Sequence, residues 1–180
     1  ISGYQVKCSD VNAETLKKAD AFVDSYLPGR VDKGRLTAEQ AKQARANIKF
    51  VNSLEEAAGD ADFVIEAATE VLSLKRRIFT DLDRIAPKHA ILATNSSAIV
   101  SSKIADATQR QDKVVNMHFF NPALVMKLVE VVKGAHVSDE TADVTMALSK
   151  DLQKVPVLLK KEVDGFLLNR IFAAISKEAM

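Results

Sequence analysis

The sequence predicts an α/β fold with a mostly parallel β-sheet and one antiparallel edge. Short apolar runs alternate along the chain with longer segments whose apolar residues recur at helical spacing, as expected for strands covered by helices. The run at residues 62–69 is apolar almost throughout, which indicates a strand buried on both faces. The strand-like runs on either side of residues 119–125 have a connection too short for a parallel crossover, so we expect them to be antiparallel.

Each predicted element has a local signal. Capping residues such as Thr37 and Ser138 precede helices, and Pro28 and Gly29 are expected to end the first helix. The polar connection at residues 27–40 is the expected site of a flexible insertion. The predicted strands cover residues 4–10, 49–51, 62–69, 90–95, 113–120, 126–134 and 155–160. The predicted helices cover residues 13–27, 34–48, 53–59, 71–85, 101–108, 139–152 and 165–180.

Composition places this chain of 180 residues among ordinary globular proteins, since 47% of its residues are hydrophobic and 27% are charged. A formal net charge of +1 argues against nucleic acid or an anionic membrane as a partner. No apolar run reaches the roughly 20 residues that span a bilayer. The single cysteine, Cys8, rules out an internal disulfide and fits a reducing compartment. Strand-like sequence follows Ile1 almost at once, so we expect a fragment of a longer protein.

Candidate functional residues stand at the carboxyl ends of predicted strands, where open parallel sheets bind ligands. Asp10 ends the first strand, and an acid at this position commonly binds the ribose hydroxyls of a dinucleotide. A helix-capping aspartate is the alternative interpretation. The glycine-rich turn that should precede such a strand is missing, because the six glycines never fall in G-x-G-x-x-G spacing.

Two further strand ends carry polar side chains. Glu70 and Lys75 lie where a loop opens into a helix, and they are either ligand contacts or a first-turn carboxylate and a solvated lysine. Asn95, Ser96 and Ser97 follow the next strand, and they either bind a ligand carbonyl or hydroxyl or cap the next helix. Residue type and position leave both interpretations open at each site.

A histidine and a carboxylate occur inside apolar runs that are expected to be buried strands. Alternation along the second strand puts Leu128, Glu130 and Val132 on one face, so Glu130 points into apolar surroundings. A buried carboxylate is costly unless it is paired, and His118 lies just across the short connection. A carboxylate beside an imidazole holds its tautomer and prepares the ring to take a proton from an alcohol. A structural His–Glu pair, or a glutamate at a strand edge in water, is the alternative.

The remaining candidates carry weaker signals. Asn169 lies one turn into an apolar helix and needs a hydrogen-bond partner, either within the helix or in a ligand. His89 and His136 stand in polar, loop-like sequence and are expected at the surface, while Cys8 is expected to be inert core. No two Cys or His residues have metal-ligand spacing, so we expect no metal site.

Four motifs together resemble the 3-hydroxyacyl-CoA dehydrogenase family, and the resemblance covers essentially the whole chain. The most specific motif, HFFNPALVMKLVEVVKG at residues 118–134, resembles the family's signature around its catalytic histidine and glutamate. The motifs DFVIEAATEV with its following lysine, ATNSSA and DGFLLNR occur in the family's order and close to its spacing. The fold implied by this resemblance is a Rossmann-type α/β domain followed by the start of an all-α domain.

The resemblance implies a role for each matching residue. His118 matches the catalytic base that removes the proton of a 3-hydroxyl group, and Glu130 matches its acidic partner. Ser97 matches the serine that contacts the substrate oxygen, with Ser96 as the alternative if the loop is shifted by one residue. Asn169 matches a substrate-side asparagine. The positions that resemble cofactor contacts are Asp10, Glu70, Lys75 and Asn95.

The implied reaction is the NAD-dependent oxidation of a 3-hydroxyacyl-CoA to the 3-ketoacyl-CoA, as in fatty-acid β-oxidation. Asp10 favours NAD over NADP, because a 2′-phosphate would meet its negative charge. Residues 1–160 would form the NAD-binding domain, without the family's first strand and glycine-rich loop. Residues 161–180 would begin the helical domain that completes the substrate cleft and forms a homodimer. The expected location is cytoplasmic, with the mitochondrial matrix or a peroxisome as alternatives.

Two alternatives of different classes stay open. Related dehydrogenases with the same core oxidise sugar acids, although Asn95 before the two serines and the complete HFFNP motif favour the acyl-CoA branch. A non-catalytic structural or binding fragment would keep the fold without turnover. Asp164 also departs from the family, which usually has proline at that position.

Overall fold

The structure is a computed structural model, and it describes residues 1–178. The strands are β1 (Val6–Ser9), β2 (Ile48–Val51), β3 (Phe63–Glu66), β4 (Ile91–Thr94), β5 (Val114–Phe119), β6 (Leu128–Val132) and β7 (Val155–Leu159). The α-helices are α1 (Ala13–Asp32), α2 (Ala38–Ala46), α3 (Leu54–Ala58), α4 (Leu72–Ile85), α5 (Ser102–Ala105), α6 (Asp139–Asp151) and α7 (Leu168–Glu178). Strands alternate with helices along the described chain, and the predicted α/β class is confirmed.

The chain divides into two compact units, residues 1–61 and the residues from Asp62 onward. In the first unit β1 and β2 pair in parallel, and α1, α2 and α3 pack against this pair. The predicted helix caps are confirmed. Asn12 accepts a backbone hydrogen bond at the start of α1, and Thr37 forms a reciprocal capping box with Gln40 at the start of α2.

The second unit contains a five-stranded sheet in the order β3-β4-β5-β6-β7. Strands β3, β4 and β5 are parallel, β5 and β6 are antiparallel, and β6 and β7 are parallel again. The predicted antiparallel pair is therefore confirmed, and it lies inside the sheet because β7 continues beyond it. Since β3, β4 and β5 run in the same direction, their carboxyl ends lie on the same side of the sheet. The candidate polar residues follow these strand ends.

The core of the second unit lies around β4, β5 and β6. Strand β4 is buried along its whole length. Side chains of β5 and β6 pack with those of α6, and Met117, Val129 and Val131 are fully buried in this cluster. Burying one such side chain contributes about 1.5–3 kcal/mol, so the strands that carry the site are firmly held.

Helix α1 contradicts the predicted stop at Pro28 and Gly29. It continues through both residues for a further turn, and only residues 33–37 separate it from α2. Most of the segment predicted as a flexible insertion is therefore helical. The ring of Pro28 is exposed and removes one backbone hydrogen bond, whereas the adjacent Leu27 is buried and keeps the helix packed. Tertiary packing outweighs the local breaker at this position.

Helix α7 begins three residues later than predicted. Gly165 and Phe166 precede it with left-handed φ angles of +76° and +50°, so the chain turns there before the helix starts. The predicted helix also included Ala179 and Met180, which lie outside the described residues. None of the helices within residues 1–178 combines the length and the apolar character that crossing a membrane requires.

Candidate active site

The strand pair β5–β6 carries the titratable pair predicted from the sequence. The antiparallel register places His118 directly opposite Glu130. Nδ1 of His118 lies 2.9 Å from Oε2 of Glu130, and the two residues are only 3% and 1% exposed. Directly opposed residues on one face of a sheet stand close enough for their side chains to meet. The predicted pairing is therefore confirmed.

The second oxygen of Glu130 is bound by the residues that begin the C-terminal helix. Oε1 accepts hydrogen bonds from the backbone N–H groups of Leu167 at 3.0 Å and Leu168 at 2.9 Å. A buried carboxylate is tolerated when its oxygens are satisfied, and the first N–H groups of a helix are favourable partners for negative charge. Glu130 thus holds both the His118 ring and the start of α7.

The second nitrogen of His118 faces a serine. Nε2 lies 3.0 Å from Oγ of Ser97, a residue that is exposed. An ionised carboxylate only accepts hydrogen bonds, so a neutral imidazole in this position has its proton on Nδ1 and directs the lone pair of Nε2 toward Ser97. The ring also contacts Phe120 and Phe166, with ring centroids 4.5 and 5.3 Å away. The arrangement presents one imidazole nitrogen of fixed orientation beside an accessible hydroxyl group.

The loop after β4 gives its two serines different positions. Ser97 reaches His118, whereas Ser96 is buried and donates a hydrogen bond to Glu70. Oγ of Ser96 also accepts the backbone N–H of Ile99 at 2.7 Å, which is a local turn contact. The helix-capping alternative is wrong for this serine, because the next helix, α5, has Ser101 at its N-cap position. Of the two serines, Ser97 is the one beside the imidazole, so no shift of the loop by one residue is needed.

A second buried ion pair, which the sequence analysis missed, lies at the end of β3. Lys75 is fully buried, and its Nζ is 2.9 and 3.0 Å from the two carboxylate oxygens of Glu66. Nζ also donates to the carbonyl oxygen of Ala68 at 3.1 Å, and Glu66 accepts from Oγ1 of Thr94 at 2.7 Å.

The solvated-lysine alternative for Lys75 is wrong. Direct contact of Lys75 with a cofactor would require this ammonium group to leave its buried partners. The sequence signal that could have indicated this pair is Glu66 itself, a carboxylate inside the apolar run of β3.

Glu70 lies between β3 and α4 and contacts both the buried lysine and the serine loop. Oε1 accepts the backbone N–H groups of Ala98 at 3.1 Å and Ile99 at 3.3 Å, and Oε2 is 3.6 Å from Nζ of Lys75. Burial alone would raise the pKa of Glu70. Hydrogen bonds from Ser96 and the two amides, together with the lysine charge, outweigh burial and hold the pKa below its ordinary value.

The other predicted positions are placed as follows. Oδ1 of Asn95 accepts the backbone N–H of Phe119 at 2.8 Å, which ties the loop after β4 to the end of β5. Asn169 lies in the first turn of α7, and its side chain has no hydrogen-bond partner among the residues that the structure describes. In the first unit, Asp10 follows β1 and its Oδ1 accepts the N–H of Asn12 at 2.7 Å. Their functional roles stay predictions.

His136 is not a surface residue, contrary to the prediction. It is half-buried, and its Nε2 lies 3.0 Å from the carbonyl oxygen of Val114 and 3.4 Å from Oγ of Ser101. These contacts with the start of β5 and with the residue before α5 cover part of the ring, although the local sequence is polar. His89 is exposed as predicted and lies 2.7 Å from Asp62.

Two observations limit other chemistry. Burial raises the pKa of the Cys8 thiol, and the nearby carboxylate of Asp10 adds to the effect, so the reactive thiolate is disfavoured. Within residues 1–178, no group of three or more His, Cys, Asp or Glu side chains is arranged to hold a metal ion. The buried imidazole–carboxylate pair is therefore the main candidate for a functional group in the second unit.

Comparisons with known proteins identify the family. Residues 1–163 match the family model described as 3-hydroxyacyl-CoA dehydrogenase, NAD binding domain. The chain belongs to the 3-hydroxyacyl-CoA dehydrogenase family. A probable 3-hydroxybutyryl-CoA dehydrogenase of Bacillus subtilis is 38% identical over 179 residues, which cover 99% of this chain and 62% of the relative. A glyoxysomal fatty acid beta-oxidation multifunctional protein of Brassica napus is 37% identical over 181 residues, which cover 100% of this chain and 25% of the relative.

A solved structure gives the same result. The (S)-3-hydroxybutyryl-CoA dehydrogenase of Ralstonia eutropha matches with a TM-score of 0.92 and 39% identity, over 99% of this chain and 62% of that chain. The predicted family and the Rossmann-type fold are confirmed. This member of the family spans between a quarter and just under two thirds of the length of these relatives.

Proposed function

We propose that the protein containing this chain oxidises a 3-hydroxyacyl-CoA to the 3-ketoacyl-CoA with NAD as the oxidant. The observation that carries the proposal is the buried His118–Glu130 pair, in which Nε2 lies 3.0 Å from the hydroxyl group of the exposed Ser97. Membership of the 3-hydroxyacyl-CoA dehydrogenase family and relatives named 3-hydroxybutyryl-CoA dehydrogenases support the substrate class.

The pair provides a general base. Glu130 holds the Nδ1–H tautomer of His118, which leaves the lone pair of Nε2 to accept the proton of the substrate's 3-hydroxyl group. The negative charge of Glu130 then stabilises the imidazolium that forms. Nicotinamide, when bound, supplies the acceptor for the hydride that leaves carbon 3 of the substrate. Loss of the proton and of the hydride converts the alcohol into a ketone.

Two neutral side chains are assigned to the substrate oxygen. The hydroxyl group of Ser97 lies beside Nε2 of His118, so it can donate to the same oxygen from which the imidazole takes the proton. The amide of Asn169, at the start of α7, follows directly after the residues that Glu130 holds. Neutral donors suit this task, because they stabilise a developing carbonyl without competing with His118 for the proton.

NAD is the proposed dinucleotide. Asp10 ends β1 in the first unit, where its carboxylate is oriented by the N–H of Asn12 through Oδ1. A carboxylate in that position accepts hydrogen bonds from ribose hydroxyls and repels a 2′-phosphate, so the residues present fit NAD. Glu70, Lys75 and Asn95, near strand ends of the second unit, are the further positions assigned to the cofactor side.

The domain boundary and assembly are also proposals. We assign residues 1–160 to the NAD-binding domain and residues 161–180 to the start of a helical substrate and dimerisation domain. The family match, which ends at residue 163, supports this boundary. A homodimer and a cytoplasmic location are proposed for the full-length protein. The mitochondrial matrix and the peroxisome stay as alternatives, since one relative is named as glyoxysomal.

A substrate panel tests the proposed function. The full-length protein is assayed for NADH formation with 3-hydroxybutyryl-CoA and, separately, with a sugar acid that carries a secondary hydroxyl group. We expect turnover of the acyl-CoA ester and none of the sugar acid. Turnover of the sugar acid alone would support the sugar-acid alternative. Absence of turnover with both, together with no fluorescence change on NADH titration, would support a non-catalytic protein.

A further inference from the structure

Glu70 is one of the residues that fasten the loop after β4 to the rest of the second unit. Its Oε1 receives three hydrogen bonds from this loop, from Oγ of Ser96 and from the backbone N–H groups of Ala98 and Ile99. These donors lie on both sides of Ser97 in the sequence. Glu70 therefore holds the backbone that carries the Ser97 side chain, together with Oγ of Ser96, which accepts the same two amides at 3.3 and 2.7 Å.

Ser97 depends on this anchor for its position. Its hydroxyl group contacts Nε2 of His118 at 3.0 Å, and its side chain has no other hydrogen-bond partner among the described residues. The residue is exposed, so packing does not hold it in place. A side chain with one hydrogen bond on a surface loop takes its position from the backbone beneath it.

The anchor is itself held by the buried ion pair. Nζ of Lys75 lies 3.6 Å from Oε2 of Glu70, and the ammonium group is fixed by Glu66 and by the carbonyl oxygen of Ala68. The lysine side chain is 1% exposed, whereas that of Glu70 is 42% exposed. A fully enclosed cation thus orients a partly exposed carboxylate, and that carboxylate binds the loop.

We propose that Glu70 is a positioning residue that sets the placement of the Ser97 hydroxyl group against His118. The inference rests on the proposed function, because Ser97 is assigned there to the substrate oxygen. It extends that function by giving Glu70 a task that does not require contact with NAD. Lys75 supports the same task through its contact with Glu70.

The test uses Glu70→Ala and Glu70→Gln in the full-length protein. The alanine variant removes the acceptor of all three loop hydrogen bonds, whereas glutamine keeps one oxygen of similar reach. We expect kcat to fall by up to about 10²-fold in Glu70→Ala, since small displacements of a reacting group have effects of that size. Glu70→Gln is expected to lose less. Because Glu70 is also assigned to the cofactor side, the KM for NAD is measured in both variants, and a rise in KM that exceeds the fall in kcat would count against the positioning role.

Amide hydrogen exchange gives a readout that needs no substrate. The N–H groups of Ala98 and Ile99 donate both to Glu70 and to Oγ of Ser96, which is itself held by Glu70. Their protection should therefore fall in Glu70→Ala, by up to about tenfold, as the loop opens more often. The matched control is Asp106→Asn, which removes an exposed carboxylate that pairs with Arg76. The control should leave both the exchange of these two amides and kcat near the wild-type values.

A double-mutant cycle separates positioning through Ser97 from an independent role. If Glu70 acts through Ser97, then Glu70→Ala combined with Ser97→Ala should lower kcat little more than Ser97→Ala alone. Additive losses, or unchanged amide exchange with a raised KM for NAD, would overturn the proposal. If the wild-type protein oxidises no 3-hydroxyacyl-CoA, the proposed function fails, and the exchange data still decide whether Glu70 fastens the loop.

Discussion

Two buried carboxylates in the second unit each form a hydrogen-bonded pair with a basic side chain, but the two pairs differ in their chemistry. Glu66 and Glu130 are 6% and 1% exposed, and each lies 2.9 Å from a basic side chain. Each also accepts at least one backbone N–H group. The Glu66 pair is closed, because the Lys75 ammonium group binds Glu66 and the carbonyl oxygen of Ala68 and its side chain is only 1% exposed. The Glu130 pair is open at one end, where Nε2 of His118 meets an exposed serine.

The difference lies in the chemistry of the two bases. An ammonium group has three donors and no lone pair, so surrounding acceptors can satisfy it completely. A neutral imidazole has one donor and one acceptor, and binding the donor to Glu130 leaves the acceptor directed outward. Burial and pairing alone therefore do not mark a catalytic group. A lone pair that remains at an accessible position does, and this distinguishes His118 from Lys75.

The largest expected effect is on turnover at the open pair. His118→Gln in the full-length protein should lower kcat by about 10²–10⁴-fold, because the side chain that accepts the proton is lost. Steady-state assays measure kcat, and a fluorescence titration measures the dissociation constant of NADH, which should stay near the wild-type value. Equal losses in turnover and in cofactor affinity would count against a base role.

Breaking the closed Glu66–Lys75 pair should lower the unfolding free energy. Lys75→Met leaves Glu66 buried without its cation, and breaking one side of a buried pair costs about 3–5 kcal/mol. Denaturant unfolding followed by circular dichroism measures the loss in unfolding free energy. The matched control, Lys75→Met combined with Glu66→Gln, should recover part of it. A single variant as stable as the wild type would show that this pair does not hold the fold.

A third buried carboxylate extends the comparison to pH. Asp83 pairs with Arg110 at 2.7 Å and accepts the N–H of Gln109 at 3.0 Å. Burial alone would raise the pKa of Asp83, but these interactions outweigh it and hold the pKa below its ordinary value. Such a group stabilises the fold above its unfolded-state pKa and loses that contribution as the pH falls through its folded-state pKa.

Asp83→Asn should therefore reduce the loss of unfolding free energy on acidification below about pH 4, near the ordinary pKa of aspartate. It should also lower stability at neutral pH, where Arg110 is left without its partner. Urea unfolding at neutral pH and at several acidic pH values measures both effects. The same decline with falling pH in variant and wild type would show that Asp83 does not contribute to acid sensitivity.

The smallest expected effect is at a helix cap that belongs to neither pair. Oγ of Ser138 accepts the backbone N–H of Thr141 at 3.1 Å at the start of α6. Ser138→Ala should lower the unfolding free energy by about 1 kcal/mol, a typical value for a lost N-cap. Thermal unfolding checks the size of the effect, and kcat should be unchanged. A fall in kcat would mean that stability and turnover are not separable in this domain.

The sequence predicts the open pair well because its signals are local. Alternation along β6 and the short connection to β5 are sufficient to bring His118 and Glu130 together. The order of strands and helices follows from apolar periodicity in the same way. Glu66 shows the same pattern, a carboxylate in an apolar strand, but its partner comes from a helix whose polar sequence favours an exposed lysine. The burial of Lys75 depends on packing that no local pattern contains.

Other differences between prediction and structure have the same origin. Pro28 and Gly29 are strong local breakers, yet α1 continues because the buried Leu27 holds that part of the helix in place. His136 stands in polar sequence, yet the strand and loop around it cover part of the ring. The anchoring of the serine loop by Glu70 joins residues 26 to 29 positions apart in sequence. Such contacts become visible only in the folded chain.

The most direct test of the central claim is the protonation state of the two nitrogens of His118. Nitrogen-15 NMR of histidine-labelled full-length protein, at a pH where the imidazole is neutral, distinguishes a protonated ring nitrogen from an unprotonated one. We predict a proton on Nδ1, facing Glu130, and an unprotonated Nε2 facing Ser97. A proton on Nε2 with Nδ1 unprotonated would mean that no lone pair is available at the exposed end, and it would contradict the role of His118 as the base.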